Sequence, residues 1–211
     1  MNHEIIFGVP LFRYHLDSTE LKKIAEDKFN LSDGYPIDET PGGWDCRVKT
    51  DFDNSMSNMY THFYAGIMDQ FSKDVGLKNG SAMIHESWLN HYTKGMYQEE
   101  HDHLPSFYSG IHYVKFNPEV HKAAHFLNPL FQLYNCTYTL SSHVCRGDDA
   151  IGEHPFSKNY ICPDVVEGDI ILFPSFIRHR VIIQETDESR ITSSFNINTI
   201  KGSTRRVFNP N

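Results

Sequence analysis

Residues 165–197 read Val165-Val-Glu-Gly168-Asp169-Ile-Ile-Leu172-Phe173-Pro174-Ser-Phe-Ile-Arg-His179-Arg-Val-Ile-Ile-Gln184-Glu-Thr-Asp-Glu-Ser189-Arg190-Ile-Thr192-Ser-Ser194-Phe195-Asn196-Ile197. Glu167-Gly168-Asp169 is a turn signal that delivers an apolar strand ending at Phe173-Pro174. His179 opens the next strand. The polar stretch Gln184–Ser189 reverses the chain, which predicts that the strand from Arg190 returns beside the strand from His179. On that last strand Arg190, Thr192, Ser194 and Asn196 alternate with Ile191, Ser193, Phe195 and Ile197, so the first set shares one face. A line of Arg, Thr and Ser is out of place against a dry core. It suits a face that binds an anion, because Arg offers a carboxylate two parallel N–H groups and a hydroxyl two residues on adds a donor. The alternative is a surface strand with its polar side in water.

Working outward, similar short runs fill the chain after Gly80: 82–92, 107–116, 124–140, 165–173, 178–184 and 190–200. Each is bounded by Gly, Pro, Asp or Asn, the pattern of a sandwich or barrel of short strands. Residues 141–163 carry Gly147, Gly152, Pro155 and Pro163 and read as a long insertion. Before Gly80 the periodicity is helical. A strand over 4–14 is expected to break at Pro10. Ser18 or Thr19 caps a helix through Leu21, Ile24, Ala25 and Phe29. Residues 32–50 read as loop. A second helix is predicted over 53–75, with Met56, Met59, Tyr60, Phe63, Ile67, Phe71 and Val75 as its apolar stripe and Gly76 as its stop. The fold class is therefore mainly β (α+β), with N-terminal helices (15–76) outside a β core (82–200). No repeat or linker divides residues 1–211, so one domain is expected.

The chain has 211 residues and a net charge of −8. That balance gives no counterion-release drive onto nucleic acid. No run of 18 apolar residues exists, so no membrane span is expected. Cys46, Cys136, Cys145 and Cys162 show no Cys-x-x-Cys spacing and read as reduced thiols. With no basic, apolar leader at the start, a cytoplasmic location is expected. Exposed edge strands could pair in a homodimer.

Histidine is the unusual residue, at 13 in the chain. In Tyr97-Gln-Glu-Glu-His101-Asp102-His103-Leu-Pro105, an extended backbone puts His101 and His103 on one face and Asp102 on the other. Two imidazoles so placed can grip one divalent metal, and imidazole suits Fe, Zn, Cu and Ni. Glu99 shares that face. Asn90, Ser109 and Tyr113 are candidates for the pocket wall. Trp88, Phe107 and Phe195 read as core. His85, His91, His112, His121, His125, His143 and His154 lack comparable spacing and read as structural or solvated.

These residues carry a resemblance. Tyr92, Gly95, His101 and His103, then Gly168-Asp169, Leu172-Phe173-Pro174, His179, Arg190-x-Thr192 and Phe195-Asn196, stand in the order and spacing of the iron- and 2-oxoglutarate-dependent dioxygenases. The prolyl 4-hydroxylase-like branch and its 2OG-Fe(II) oxygenase relatives look most similar. The opening Phe7-x-Val9-Pro10-Leu11-Phe12 and Gly43-Trp44 resemble those relatives too. The resemblance covers roughly 82–116 and 163–200.

It implies a double-stranded β-helix, or jelly roll, with Fe(II) held near one mouth by His101, His103 and His179. It implies 2-oxoglutarate and O2 as cosubstrates, with the far carboxylate of 2-oxoglutarate on Arg190, helped by Thr192 and Tyr92. Asn90 and Ser194 complete the expected binding set. The expected reaction hydroxylates a C–H bond of a peptide (prolyl) or small-molecule substrate and releases succinate and CO2. One residue departs from the pattern: His103 stands where the family usually has Asp. The site is then a three-histidine set, or it recruits Glu99 or Asp102, or it binds metal poorly; the first reading is preferred because residues 101 and 103 share a face. Two rivals are a three-histidine cupin-like metalloenzyme that does not use 2-oxoglutarate and a non-catalytic β-sandwich binding module. Residues 32–50 and 141–163 are expected to form a lid.

Overall fold

The computed structural model describes residues 3–6, 8–31, 46–51, 57–130 and 159–201. Among these, two helices and twelve strands run in the order β1 (His3–Ile6), β2 (Val9–His15), α1 (Thr19–Leu31), β3 (Cys46–Arg47), β4 (Lys49–Asp51), α2 (Ser57–Asp74), β5 (Gly80–Tyr92), β6 (Tyr97–His101), β7 (Tyr108–Lys115), β8 (His125–Leu127), β9 (Tyr160–Ile161), β10 (Asp169–Pro174), β11 (His179–Val181) and β12 (Arg190–Lys201). Seven strands form a larger sheet, β1-β2-β10-β7-β12-β5-β4. Five form a smaller one, β3-β6-β11-β8-β9. Every pairing is antiparallel. The architecture is mainly β with helices on one side, as the strand-rich pattern after Gly80 predicts.

Two apolar clusters follow from the period-2 alternation of the large sheet. On one face Leu89, Val114, Ile170, Leu172, Ile191 and Phe195 pack with Leu21 and Ala25 of α1 and Tyr64, Met68 and Phe71 of α2. On the other, Tyr92, Ile111, Tyr113, Ile171 and Phe173 pack with Phe126 and Val181 of the small sheet. The face of Arg190 and Thr192 belongs to this second, inter-sheet side. Burying most of these side chains contributes about 1.5–3 kcal/mol apiece. Ion pairs at the edge tie α1 to the strands: Lys115 to Glu26 at 2.6 Å and Lys22 to Glu167 at 2.8 Å.

The structure corrects several expectations. β11 and β12 do not pair; they lie in different sheets. The 184–189 connection crosses over instead, because the Gln184 amide donates to Met96 O (2.9 Å) and its carbonyl accepts from Gly95 N (2.8 Å), so no hairpin ladder forms. The opening strand breaks at Gly8, whose φ is +76°, not at Pro10. Pro10 lies inside β2, beyond the stretch Phe12–His15 that β10 pairs with, so its missing N–H costs no bond on that side. Ser18 takes the cap position of α1 as expected, its carbonyl accepting from Lys22 N at 2.7 Å, and Asp17 Oδ1 adds bonds from the amide and hydroxyl of Thr19. Helix α2 is described from Ser57, and residues 53–56 of the predicted span lie outside the described residues. Its most buried positions are Tyr64, Met68 and Phe71, with the predicted Phe63, Ile67 and Val75 packed partly buried beside them; the unpredicted Tyr64 joins the core because its hydroxyl finds a buried partner in His112 Nδ1 at 2.9 Å. It stops as predicted. Gly76 is left-handed, Leu77 N donates to Ser72 O and Gly76 N to Lys73 O. The end of the predicted 32–50 loop forms β3 and β4, and the end of the 141–163 insertion forms β9. Residues 32–45 and 131–158, with most of both predicted lids, His143 and His154, lie outside the described residues. Phe107 is not core but 43% exposed, and β7 begins just after it. Among the described residues no helix is long and apolar enough to cross a membrane.

Candidate metal centre

The register of the small sheet builds the centre. β11 pairs with β6 so that His179 stands directly opposite His101. His103 follows two residues beyond the end of β6, and its amide donates to Ser175 O at 2.9 Å, which folds it back toward β11. One nitrogen from each of His101, His103 and His179 can be chosen so that all three lie within 4.8 Å of one another. Their ring centroids are 4.3 Å (101–179), 5.0 Å (101–103) and 5.1 Å (103–179) apart. Among the described residues no carboxylate joins this group. Asp102 is exposed, and its Oδ1 accepts from Leu104 N.

Two of the imidazoles are oriented by the backbone. His101 Nδ1 lies 2.8 Å from Glu99 O and His179 Nδ1 lies 3.2 Å from Ile177 O. A carbonyl only accepts, so each Nδ1 carries the proton and each Nε2 keeps its lone pair for a metal. His103 has no such bond; it packs against Trp88, with centroids 5.5 Å apart. Burial disfavours the charged form of all three. It lowers His101, holds His103 down to about 4 with help from His101, and pushes His179 well below its ordinary value. The three side chains therefore present neutral nitrogen donors at pH 7, which is the form that binds metal.

The second feature is Arg190. It is 1% exposed and pairs across the sheet with Tyr92. Its guanidinium carbon sits 4.5 Å above the Tyr92 ring, 5.7 Å from Tyr113 and 5.9 Å from Phe116. Its Nε and Nη1 are buried with no partner among the described residues. A buried guanidinium held by aromatic faces with two idle N–H groups is costly unless an anion arrives. Thr192 follows two residues on along the same face, also buried. Asn90 and Ser194 come next, joined by a bond from Asn90 Nδ2 to Ser194 Oγ (3.1 Å), while Asn90 Oδ1 accepts from Thr50. Ser109 Oγ donates to Asn196 Oδ1 at 2.9 Å and lies 2.7 Å from Ser175 Oγ. The Tyr92 hydroxyl donates to Gln98 Oε1 at 2.6 Å, so this side chain serves Arg190 with its ring face.

The sequence reading thus names the three imidazoles and the arginine, and one inter-sheet cluster links them: Arg190 lies over its Tyr92 and Tyr113, and His179 contacts its Phe126 and Phe173. It assigned Trp88 to the core and had no role for Phe116 or Gln98. Of the remaining histidines, His112 is in the core, His121 Nδ1 accepts from Asn117 N, His91 bonds Ser189 and His85 bonds Ser106.

Two antiparallel sheets enclosing a histidine cluster and a buried arginine define a class, the jelly-roll-type oxygenases. A family model described as "Putative 2OG-Fe(II) oxygenase" matches residues 76–196, more than half of the chain. The chain belongs to this 2OG-Fe(II) oxygenase family. Its fold is similar to a prolyl-4-hydroxylase of Pseudomonas putida (TM-score 0.55, 10% identity, 89% of this chain and 91% of that one). It is similar to HygX from Streptomyces hygroscopicus with nickel, 2-oxoglutarate and hygromycin B bound (0.55, 12%, 92% and 83%). It is also similar to a Trichoplax adhaerens prolyl hydroxylase in complex with a hypoxia inducible factor peptide fragment (0.54, 12%, 89% and 83%). No curated protein matches by sequence. Iron and 2-oxoglutarate are the family's cofactor and cosubstrate, and the residues fit them: three imidazoles suit iron, and the idle N–H groups of Arg190 suit a carboxylate.

Proposed function

We propose that the protein is a 2-oxoglutarate-dependent hydroxylase with a double-stranded β-helix core, acting on a C–H bond of a peptide or small-molecule substrate. His101, His103 and His179 hold Fe(II). Arg190 binds the far carboxylate of 2-oxoglutarate. The observation that carries this reading is the pair of idle N–H groups on a fully buried Arg190, set in the same interior as three converging imidazoles. A cupin-like metalloenzyme without 2-oxoglutarate has no use for such a guanidinium, and neither has a non-catalytic module.

Bound iron supplies the oxygen chemistry that decarboxylates 2-oxoglutarate to succinate and CO2 and hydroxylates the substrate. The chain supplies position. The carbonyls of Glu99 and Ile177 fix which nitrogen His101 and His179 turn inward. Tyr92, Tyr113 and Phe116 keep water from the guanidinium and leave its N–H groups for a carboxylate. Thr192 can add a hydroxyl donor. Asn90, Ser194, Ser109 and Asn196 line the same strand faces as a preformed polar wall. Among similar structures one holds a peptide fragment and another hygromycin B, so both substrate classes are kept.

The test is succinate formation from 2-oxoglutarate with Fe(II) and O2. The wild-type protein should form succinate and Arg190→Met should not. Equal succinate from both proteins would show that Arg190 is not the clamp. No succinate from the wild type, across a panel of peptides and small amino acids, would remove 2-oxoglutarate from the account.

A further inference from the structure

We propose that His103 makes the protein's hold on its metal depend on 2-oxoglutarate, so that metal and cosubstrate each bind weakly alone and tightly together. This rests on the three-histidine, 2-oxoglutarate reading above and adds a regulation of that site.

The inference starts from charge. Imidazole binds a metal as a neutral ligand, and among the described residues the converging group contains three histidines and no carboxylate. Neighbouring acids are turned to other tasks. Asp102 is exposed and caps Leu104 N, and Glu100 pairs with Arg178 at 2.7 Å. Glu99 holds His101 through its backbone carbonyl, and its carboxylate does not enter the group. A divalent ion entering here keeps its full charge. The same interior already contains Arg190, 1% exposed and with two N–H groups unpartnered. Two uncompensated positive centres in a desolvated interior are costly.

A dicarboxylate relieves both. One carboxylate lies on the metal and the other on Arg190, so each ligand removes a penalty that the other would meet alone. Such coupling is reciprocal by necessity. An aspartate at position 103 would neutralise part of the metal's charge beforehand and shrink the coupling. The holding of His103 points the same way. His101 and His179 are each steadied by a carbonyl on Nδ1, whereas neither ring nitrogen of His103 has a hydrogen-bond partner among the described residues; a tilted contact with Trp88 and stacking on His179 position its ring. A ligand fixed by ring contacts alone contributes less to holding a metal.

Mn(II) is the probe, titrated into the protein while the resonance of free Mn(II) is followed by electron paramagnetic resonance, with and without saturating 2-oxoglutarate. In the wild type, 2-oxoglutarate should tighten Mn(II) by roughly 10- to 100-fold, and Mn(II) should tighten 2-oxoglutarate equally in calorimetry. His103→Asp should bind Mn(II) more tightly without 2-oxoglutarate, and its coupling should be smaller than the wild type's by about threefold or more. Chelation by the 2-oxo acid is common to both proteins, so the difference isolates the charge at 103. If His103→Asp fails to fold, as judged by circular dichroism, His103→Glu supplies the carboxylate. Coupling in the wild type no larger than in the carboxylate variant would overturn the proposal while leaving the metal site standing. A wild type that binds no Mn(II) under either condition would overturn the three-histidine reading itself.

Discussion

His179 lies directly across the β6–β11 ladder from His101, with ring centroids 4.3 Å apart. The centre is therefore a product of strand register. A one-residue slip of β11 would turn His179 to the opposite face. Because the ladder is held by backbone bonds, His179→Ala should leave the fold intact and remove a ligand. Metal affinity should fall by more than about 100-fold, the upper end of what losing even an indirect supporting contact costs. Metal analysis after gel filtration in buffer containing 2-oxoglutarate, with circular dichroism as the folding control, checks this. Stoichiometric metal in the variant would place the ion elsewhere.

Arg190 gives a two-sided prediction. It is buried with idle N–H groups, so without an anion it is a liability to the fold. Arg190→Met keeps much of the apolar stem and removes the charge. Without 2-oxoglutarate the variant should melt at the same temperature as the wild type or higher. With 2-oxoglutarate at 100 times its dissociation constant, the wild type should gain about 2.7 kcal/mol and the variant nothing. Thermal denaturation of metal-loaded samples with and without 2-oxoglutarate reads both arms. A variant that 2-oxoglutarate still stabilises would remove Arg190 from the binding site.

Much of this was legible in the sequence because it rests on period-2 alternation and on turn residues. β5, β7, β10 and β12 are long or strongly apolar and bounded by Gly, Pro or Asn, so their existence follows from pattern. His101 and His103 could be paired from spacing alone. What pattern could not supply was partnership between distant segments. The Gln184–Ser189 stretch looks like a hairpin connection, yet the bonds of Gln184 to Gly95 and Met96 send the chain to the other sheet. β3, β4 and β9 are two or three residues long, too short for a period to register. Tyr64 is polar at its tip, and only the distant His112 makes it a core residue. Trp88 is buried as its core reading expects, and what pattern could not show is its contact with His103, which depends on a loop after β6.

His112 makes stability depend on pH. It is fully buried, with Nδ1 2.9 Å from the Tyr64 hydroxyl, and burial, aided by the charge of His15, holds it down to about 4. Its folded value is below the unfolded value near 6.5, so the unfolded chain takes the proton first. The stabilisation is fully present above pH 6.5 and is lost as pH falls from there toward 4. The loss attributable to this residue is on the order of 2–3 kcal/mol. Urea unfolding at pH 7.5 and pH 4.5 should show it, and His112→Phe should flatten the difference by about that amount. An unchanged difference in the variant would assign the pH dependence to other groups.

Gly110 in β7 has no room for a side chain. A Cβ there would sit 2.3 Å from Phe195 Cε2 and 2.7 Å from Leu172 Cδ2. Phe195 is itself fully buried against Tyr64, centroids 4.7 Å apart, so it cannot swing away freely. Gly110→Ala should cost about 1–3 kcal/mol through overpacking. Chemical denaturation should show the loss with an unchanged slope, and a variant as stable as the wild type would mean that Phe195 repacks.

The central claim is that three imidazoles share one ion. X-ray absorption at the iron edge counts them, because rigid imidazole rings give multiple-scattering features that carboxylates lack. Anaerobic Fe(II)-loaded wild type should show three imidazoles, and His103→Ala should show two. Two imidazoles in the wild type, with an oxygen donor in the third place, would contradict the account.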